Sequence, residues 1–90
     1  MENKNEDVQK ILGAMIKKRR KAIGVTQQEL SDLSGVNRTF ICHVENGQVN
    51  PSFTILVKLA VGLRVKPSTL LTWCESSGLL ASVPNSISSQ

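Results

Sequence analysis

The apolar residues of this chain fall into groups spaced for helices, separated by short polar stretches that carry turn chemistry. Val8, Ile11, Leu12, Met15, Ile16 and Ile23 recur at helical spacing and predict a helix with one apolar face, ended by Gly24. A second helix starts at Thr26, whose hydroxyl can accept from open backbone N–H groups and whose partner in a capping box is Glu29. Gly35 can close that helix in the left-handed conformation and Asn37 can cap the next, so the chain turns over Ser34 to Asn37. Asn46-Gly47 ends this third helix, and Asn50-Pro51 imposes an extended link. Ser52 caps a fourth helix, in which Phe53, Leu56, Leu59, Ala60 and Leu63 form the face expected to close the core. Pro67 suits the first position of a fifth helix, with Leu70, Leu71 and Trp73 on its apolar side.

The two ends differ from this pattern. Met1 to Asp7 is polar and aperiodic and is expected to be disordered. Residues 76–90 form a serine-rich, uncharged tail, yet Leu79, Leu80, Val83 and Ile87 are too apolar for an ordinary solvated linker, so part of it is expected to pack on the domain or on a partner. The prediction is an all-α protein: one compact, five-helix domain over residues 8–75, large enough to bury a core without staples.

The second and third helices carry the most specific pattern. Leu30, Val36, Ile41 and Val44 are apolar where two helices crossing steeply would face each other, and Ser31 is small where their backbones would approach. That is the spacing of a helix-turn-helix. With Val25-Thr26-Gln27-Gln28-Glu29-Leu30, Val44-Glu45-Asn46-Gly47 and Asn50-Pro51-Ser52, the chain resembles the Cro/repressor and Xre-like family of bacterial and phage DNA-binding proteins over roughly Ile11 to Leu71. Within it, Asn37-Arg38-Thr39-Phe40-Ile41 looks like the second motif helix of restriction–modification controller proteins. The chain departs from the family pattern at Arg19, where many members place an apolar residue, and at Leu33, where they often place a polar one.

In such a motif the start of the second helix enters the major groove while the preceding helix lies across the phosphate backbone. Ile41 and Val44 must face the core, which leaves Asn37, Arg38, Thr39 and His43 as candidate base readers. The Arg38 guanidinium can give two hydrogen bonds to guanine O6 and N7; its alternatives are a phosphate contact or plain exposure. Thr39 can bond a base edge or touch a thymine methyl, and His43 can donate or accept. Phe40 is expected to pack. Gln27 and Gln28 at the first motif helix, Lys17 and Lys21 before it, and Asn46, Gln48 and Asn50 in the following loop are candidate phosphate contacts. One helix reads few base pairs, so a homodimer on a two-fold repeated operator is expected. Leu70, Leu71 and Trp73, beside the uncharged tail, are its expected interface, as the resemblance also implies. The resemblance further implies that Arg20 pairs with Glu45.

Composition adds a bias and several exclusions. A formal net charge of +4 and a pI near 9.4 suit a nucleic-acid partner, because the charge is concentrated in Lys17-Lys18-Arg19-Arg20-Lys21. The same run also fits a solvated helix end that meets the negative pole of its own dipole. Nothing at the N-terminus resembles a secretory signal, so Cys42 and Cys74 read as reduced thiols and a cytoplasmic location is expected. No apolar run reaches bilayer length. Cys42, His43 and Cys74 lack metal-ligand spacing, there is one histidine and no carboxylate cluster, and no glycine-rich phosphate loop occurs. No metal, cofactor, membrane or enzymatic activity is expected. The function expected is a sequence-specific regulator of transcription on double-stranded DNA. The rival is an antitoxin-like module that binds and silences a partner protein through the apolar tail.

Overall fold

The computed structural model describes residues 4–76, which form five helices: α1 (Lys4–Ala22), α2 (Gln27–Ser34), α3 (Arg38–Glu45), α4 (Phe53–Leu63) and α5 (Pro67–Ser76). The all-α fold expected from the sequence is the fold found. α1 begins at Lys4, so Lys4 to Asp7 are helical where disorder was expected; the carboxylate of Asp7 suits the positive pole of a helix start. The tail residues 77–90, with Leu79, Leu80, Val83 and Ile87, lie outside the described residues.

The short helices owe their boundaries to the side chains that mark them in the sequence. Thr26 Oγ1 accepts from the Glu29 N–H at 3.0 Å, and Glu29 Oε1 accepts from the Thr26 N–H at 2.8 Å. Asn37 Oδ1 accepts from the N–H of Thr39 at 2.8 Å, and Ser52 Oγ from that of Ile55 at 3.2 Å. The end of α4 is different: Arg64 takes the left-handed conformation there, with φ 61°, although no glycine is present. Arg19 supports that end, donating from Nε to the Leu63 carbonyl at 3.0 Å and from Nη2 to the Arg64 carbonyl at 3.4 Å. A cation on the open carbonyls of a helix end is favourable, which explains an arginine where the family pattern has an apolar residue.

Leu12 and Ile16 of α1, Leu30 of α2, Val36, Ile41 and Val44 at α3, Leu59, Ala60 and Leu63 of α4, and Leu70 and Cys74 of α5 form one buried core. Two glycines set its closest helix crossings. A Cβ on Gly13 would collide with the Val44 carbonyl oxygen and lie 2.9 Å from that of Glu45, so α1 sits directly against the end of α3. A Cβ on Gly62 would fall 2.8 Å from Leu30 Cδ1 and 3.0 Å from Ser34 Cβ, so α4 meets α2 at that point. Phe53 and Leu33 are among the apolar residues that lie outside the core. Phe53, expected on the core face of α4, is 77% exposed: as the first residue of the helix it lines the open groove between α4 and α5. Leu33 is half exposed, so the usual polar position of the family is a surface position here too.

Two backbone substitutions should act in opposite directions. Gly13→Ala forces α1 away from α3 and should destabilise by about 1–3 kcal/mol, as overpacking does. Arg64→Gly removes left-handed strain of about 1–2 kcal/mol and gives back part of it through a freer unfolded chain, for a net gain of about 0.5–1 kcal/mol. Denaturant unfolding followed by circular dichroism measures both; a neutral Gly13→Ala would mean that α1 and α3 are not held at this distance.

Candidate nucleic-acid interface

α3 has one face fixed inside the protein and one open to solvent. Ile41 and Val44 are in the core and Phe40 packs against it, as the sequence pattern requires. Glu45 is buried at the last turn, where a carboxylate opposes the helix dipole and loses its hydration. Arg20 offsets both effects. Its Nε donates to Glu45 Oε2 at 2.7 Å and its Nη2 to Oε1 at 3.1 Å, while Nη1 donates to the Val25 carbonyl at 2.9 Å. Gln27 Nε2 donates to Glu45 Oε1 at 3.0 Å. One network therefore joins the end of α1, the turn after it, the start of α2 and the end of α3. The pairing of Arg20 with Glu45 implied by the resemblance is present.

The candidate base readers lie on the other face. Arg38, Thr39 and His43 are exposed, and so is Asn37. Asn37 uses its carbonyl oxygen as the cap of α3, which leaves its NH2 group as the part able to reach a base. Arg38 is the first residue of α3, at the positive pole of the dipole, and no side chain among the described residues bonds to it. A cation there is electrostatically unfavourable to the helix, so its placement is not explained by stability.

The phosphate candidates are distributed around this face. Gln28 is exposed and donates to Asp32 Oδ1 at 3.1 Å, and Gln27 commits one amide hydrogen to Glu45. Asn46 Nδ2 donates to Cys42 Sγ at 3.6 Å, Asn50 is exposed, and Gln48 is engaged by His43, with Oε1 2.8 Å from Nδ1. Lys17 and Lys21 are exposed one helical turn apart on α1. Lys10, not singled out by sequence pattern, shares their stripe and lies beside Gly47: its Cγ is 2.8 Å from where a Gly47 Cβ would be. The stripe borders the side of α1 that carries Gly13 and Arg20 toward α3. Nothing local in the sequence marks Lys10, since the contact with Gly47 is made across the fold.

Of the residues expected at a dimer interface, Leu70 and Leu71 line one groove and Trp73 lines another. Leu70 is only 2% exposed and belongs to the core. Leu71 and Trp73 are two residues apart, which turns them about 200° from each other on a helix. Trp73 lines a groove with Met15, Lys18, Arg19 and Ala22 of α1, whereas Leu71, 64% exposed, lines an apolar groove with Phe53, Leu56, Val57 and Pro67. Cys42 and Cys74 form no disulfide, and burial pushes the Cys74 thiol above its ordinary pKa. Among the described residues no helix is long and apolar enough to cross a membrane.

Comparison with known proteins matches the family model described as helix-turn-helix to residues 16–70, from the second half of α1 into α5. An uncharacterized HTH-type transcriptional regulator of Haemophilus influenzae is 41% identical over 44 residues, covering 49% of this chain and 45% of that protein, so the match spans less than half of that relative. Control protein C.SmaI of Serratia marcescens is 32% identical over 66 residues, 73% of this chain and 79% of the relative. The solved structure of the restriction-modification controller protein C.AhdI from Aeromonas hydrophila superposes with a TM-score of 0.66 at 38% identity, over 71% of this chain and 96% of that one.

Removal of one partner of the buried ion pair should be severe. Glu45→Ala leaves the Arg20 charge desolvated and should destabilise by about 3–5 kcal/mol, with Tm falling roughly 4–8 °C per kcal/mol. The double substitution Arg20→Met/Glu45→Leu should recover most of that loss. Thermal melts of the three proteins test it, and a Glu45→Ala variant as stable as the parent would remove the network from the account of how α3 is held.

Proposed function

The chain belongs to the helix-turn-helix family, and from that premise we propose that it is a DNA-binding regulator of transcription, of the Xre-like and controller type, whose α3 reads the major groove of duplex DNA. The observation that carries this reading is Arg38. It is a solvent-facing guanidinium at the helix pole that repels it, on the face of α3 left free by the core, next to Thr39 and Asn37. A guanine edge supplies the two acceptors that the protein does not. Gln27, Gln28, Asn46, Gln48 and Asn50, with the stripe Lys10, Lys17 and Lys21, are suited to the flanking phosphates. The similarity to control protein C.SmaI and to C.AhdI supports the same reading and is the reason to test a restriction–modification setting first.

The protein works as a homodimer in this reading, with the two copies of α3 about 34 Å apart to match one turn of DNA. The surface we assign to the contact is the groove around Leu71 and Phe53, both largely exposed, which buried Leu70 also lines, and not the groove of Trp73.

Arg38→Ala should leave Tm almost unchanged, cost about 1–3 kcal/mol of specific binding and relax preference at one base pair of each half-site. Fluorescence anisotropy on the selected operator and its single-base variants measures this. Equal weakening on operator and random DNA would make Arg38 a phosphate residue. Leu71→Asp should shift the protein toward monomer in analytical ultracentrifugation and weaken operator binding without unfolding it. An unchanged sedimentation coefficient at high concentration would move the interface elsewhere.

A further inference from the structure

α3 ends in a turn that has a second consequence. After Asn46, the Gly47 N–H donates to the Val44 carbonyl at 3.0 Å and the Gln48 N–H to the His43 carbonyl at 2.9 Å, with Gly47 in the left-handed region at φ 72°. A helix end of this type brings the side chain of its last turn against that of the residue following the glycine, and the pair is usually apolar. Here the two positions hold His43 and Gln48, which meet through Nδ1 and Oε1 at 2.8 Å. The turn itself is backed by Lys10, whose Cα and Cγ lie 2.9 and 2.8 Å from the place of a Gly47 Cβ. Gln48 is thus carried by a defined backbone fold to one nitrogen of the chain's single histidine, on the open face of α3.

We propose that Gln48 is a positioning residue that fixes the tautomer of His43, so that α3 offers an acceptor, imidazole Nε2, to an exocyclic amine of adenine or cytosine in the major groove. The inference rests on the reading of α3 as the groove helix. An amide oxygen only accepts, so the nitrogen facing it carries the hydrogen. Neutral imidazole has one N–H, and the partner of one nitrogen decides the state of the other. With the hydrogen on Nδ1, Nε2 presents a lone pair. In the major groove the complementary donors are adenine N6 and cytosine N4, whereas guanine O6 and N7, thymine O4 and adenine N7 are acceptors and are refused. With Gln48 absent, His43 is free to adopt the opposite tautomer and its base preference inverts from donors to acceptors.

The first arm of the test is nitrogen-15 NMR of the untagged protein at a pH where imidazole is neutral, with one histidine giving one assignable ring. Nδ1–H should dominate in the parent and in Gln48→Glu, which keeps an oxygen acceptor, and should give way to Nε2–H in Gln48→Leu. The second arm selects an operator from random duplexes and finds the base pair whose preference His43→Ala relaxes. Replacing adenine there by purine, or cytosine by its analogue without the N4 amine, should weaken parent binding about threefold to tenfold, the range of one hydrogen bond. Replacing adenine by 7-deazaadenine should not. His43→Ala should ignore all three changes. Nε2–H in the parent, or sensitivity to loss of N7 instead of the amine, overturns the inference while leaving DNA reading intact. Failure to select any duplex overturns the DNA reading itself.

Discussion

The orientation of α3 depends on the buried ion pair between Arg20 and Glu45. Glu45 sits at the wrong pole of α3 for a carboxylate and is almost fully desolvated, with 1% of its side chain exposed, so it is tolerable only with Arg20 bound to it. Two parallel N–H···O bonds from a planar guanidinium admit one relative orientation of the partners. Because the same guanidinium also holds the Val25 carbonyl, and the same carboxylate holds Gln27, that orientation is passed to the start of α2. An apolar pair could provide comparable stability but not this directional registration. Gly13 completes the arrangement by allowing α1 to lie against the carbonyls of Val44 and Glu45.

The basic run of α1 shows why net charge is a poor measure of the charge available to a ligand. Arg20 is consumed by Glu45 and Arg19 by the end of α4. Lys18 lies on the groove shared with Trp73. Lys17 and Lys21 remain on the stripe that borders the α3 side, and Lys10 joins them from outside the run. Five successive cations in the sequence therefore divide among four directions, as a repeat of about 100° per residue demands.

Local chemistry was legible from the sequence to the extent that it is local. The caps at Thr26, Asn37 and Ser52, the turn at Gly35 and the buried face of α3 each depend on residues within a turn of one another, and all are found as read. What failed depends on three-dimensional context. Phe53 has helical spacing with Leu56 and Leu59 but lies at the first position of α4, on an open groove with α5. Leu70, Leu71 and Trp73 are neighbours in sequence, yet the helix buries Leu70 in the groove that Leu71 lines and sends Trp73 to another. Gly13, Gly62 and Lys10 gained their roles from helices far along the chain. His43 and Gln48 were both recognised as candidates for DNA, but their contact follows from the geometry of the turn at Gly47.

The stop of α4 has a consequence for how the chain acquires its shape. Arg64 lacks the conformational freedom of glycine, and the carbonyls at this helix end are held by Arg19, 44 and 45 residues away. Arg20 waits for a carboxylate 25 residues further on. During synthesis, α1 therefore leaves the ribosome with both of its terminal arginines lacking their eventual partners, and neither closure can form until α3 and α4 have followed. Long-range closures of this kind put their ordering entropy ahead of their reward. The ends of α1 and of α4, and the setting of α3 against α1, are thus completed by the same late-forming contacts.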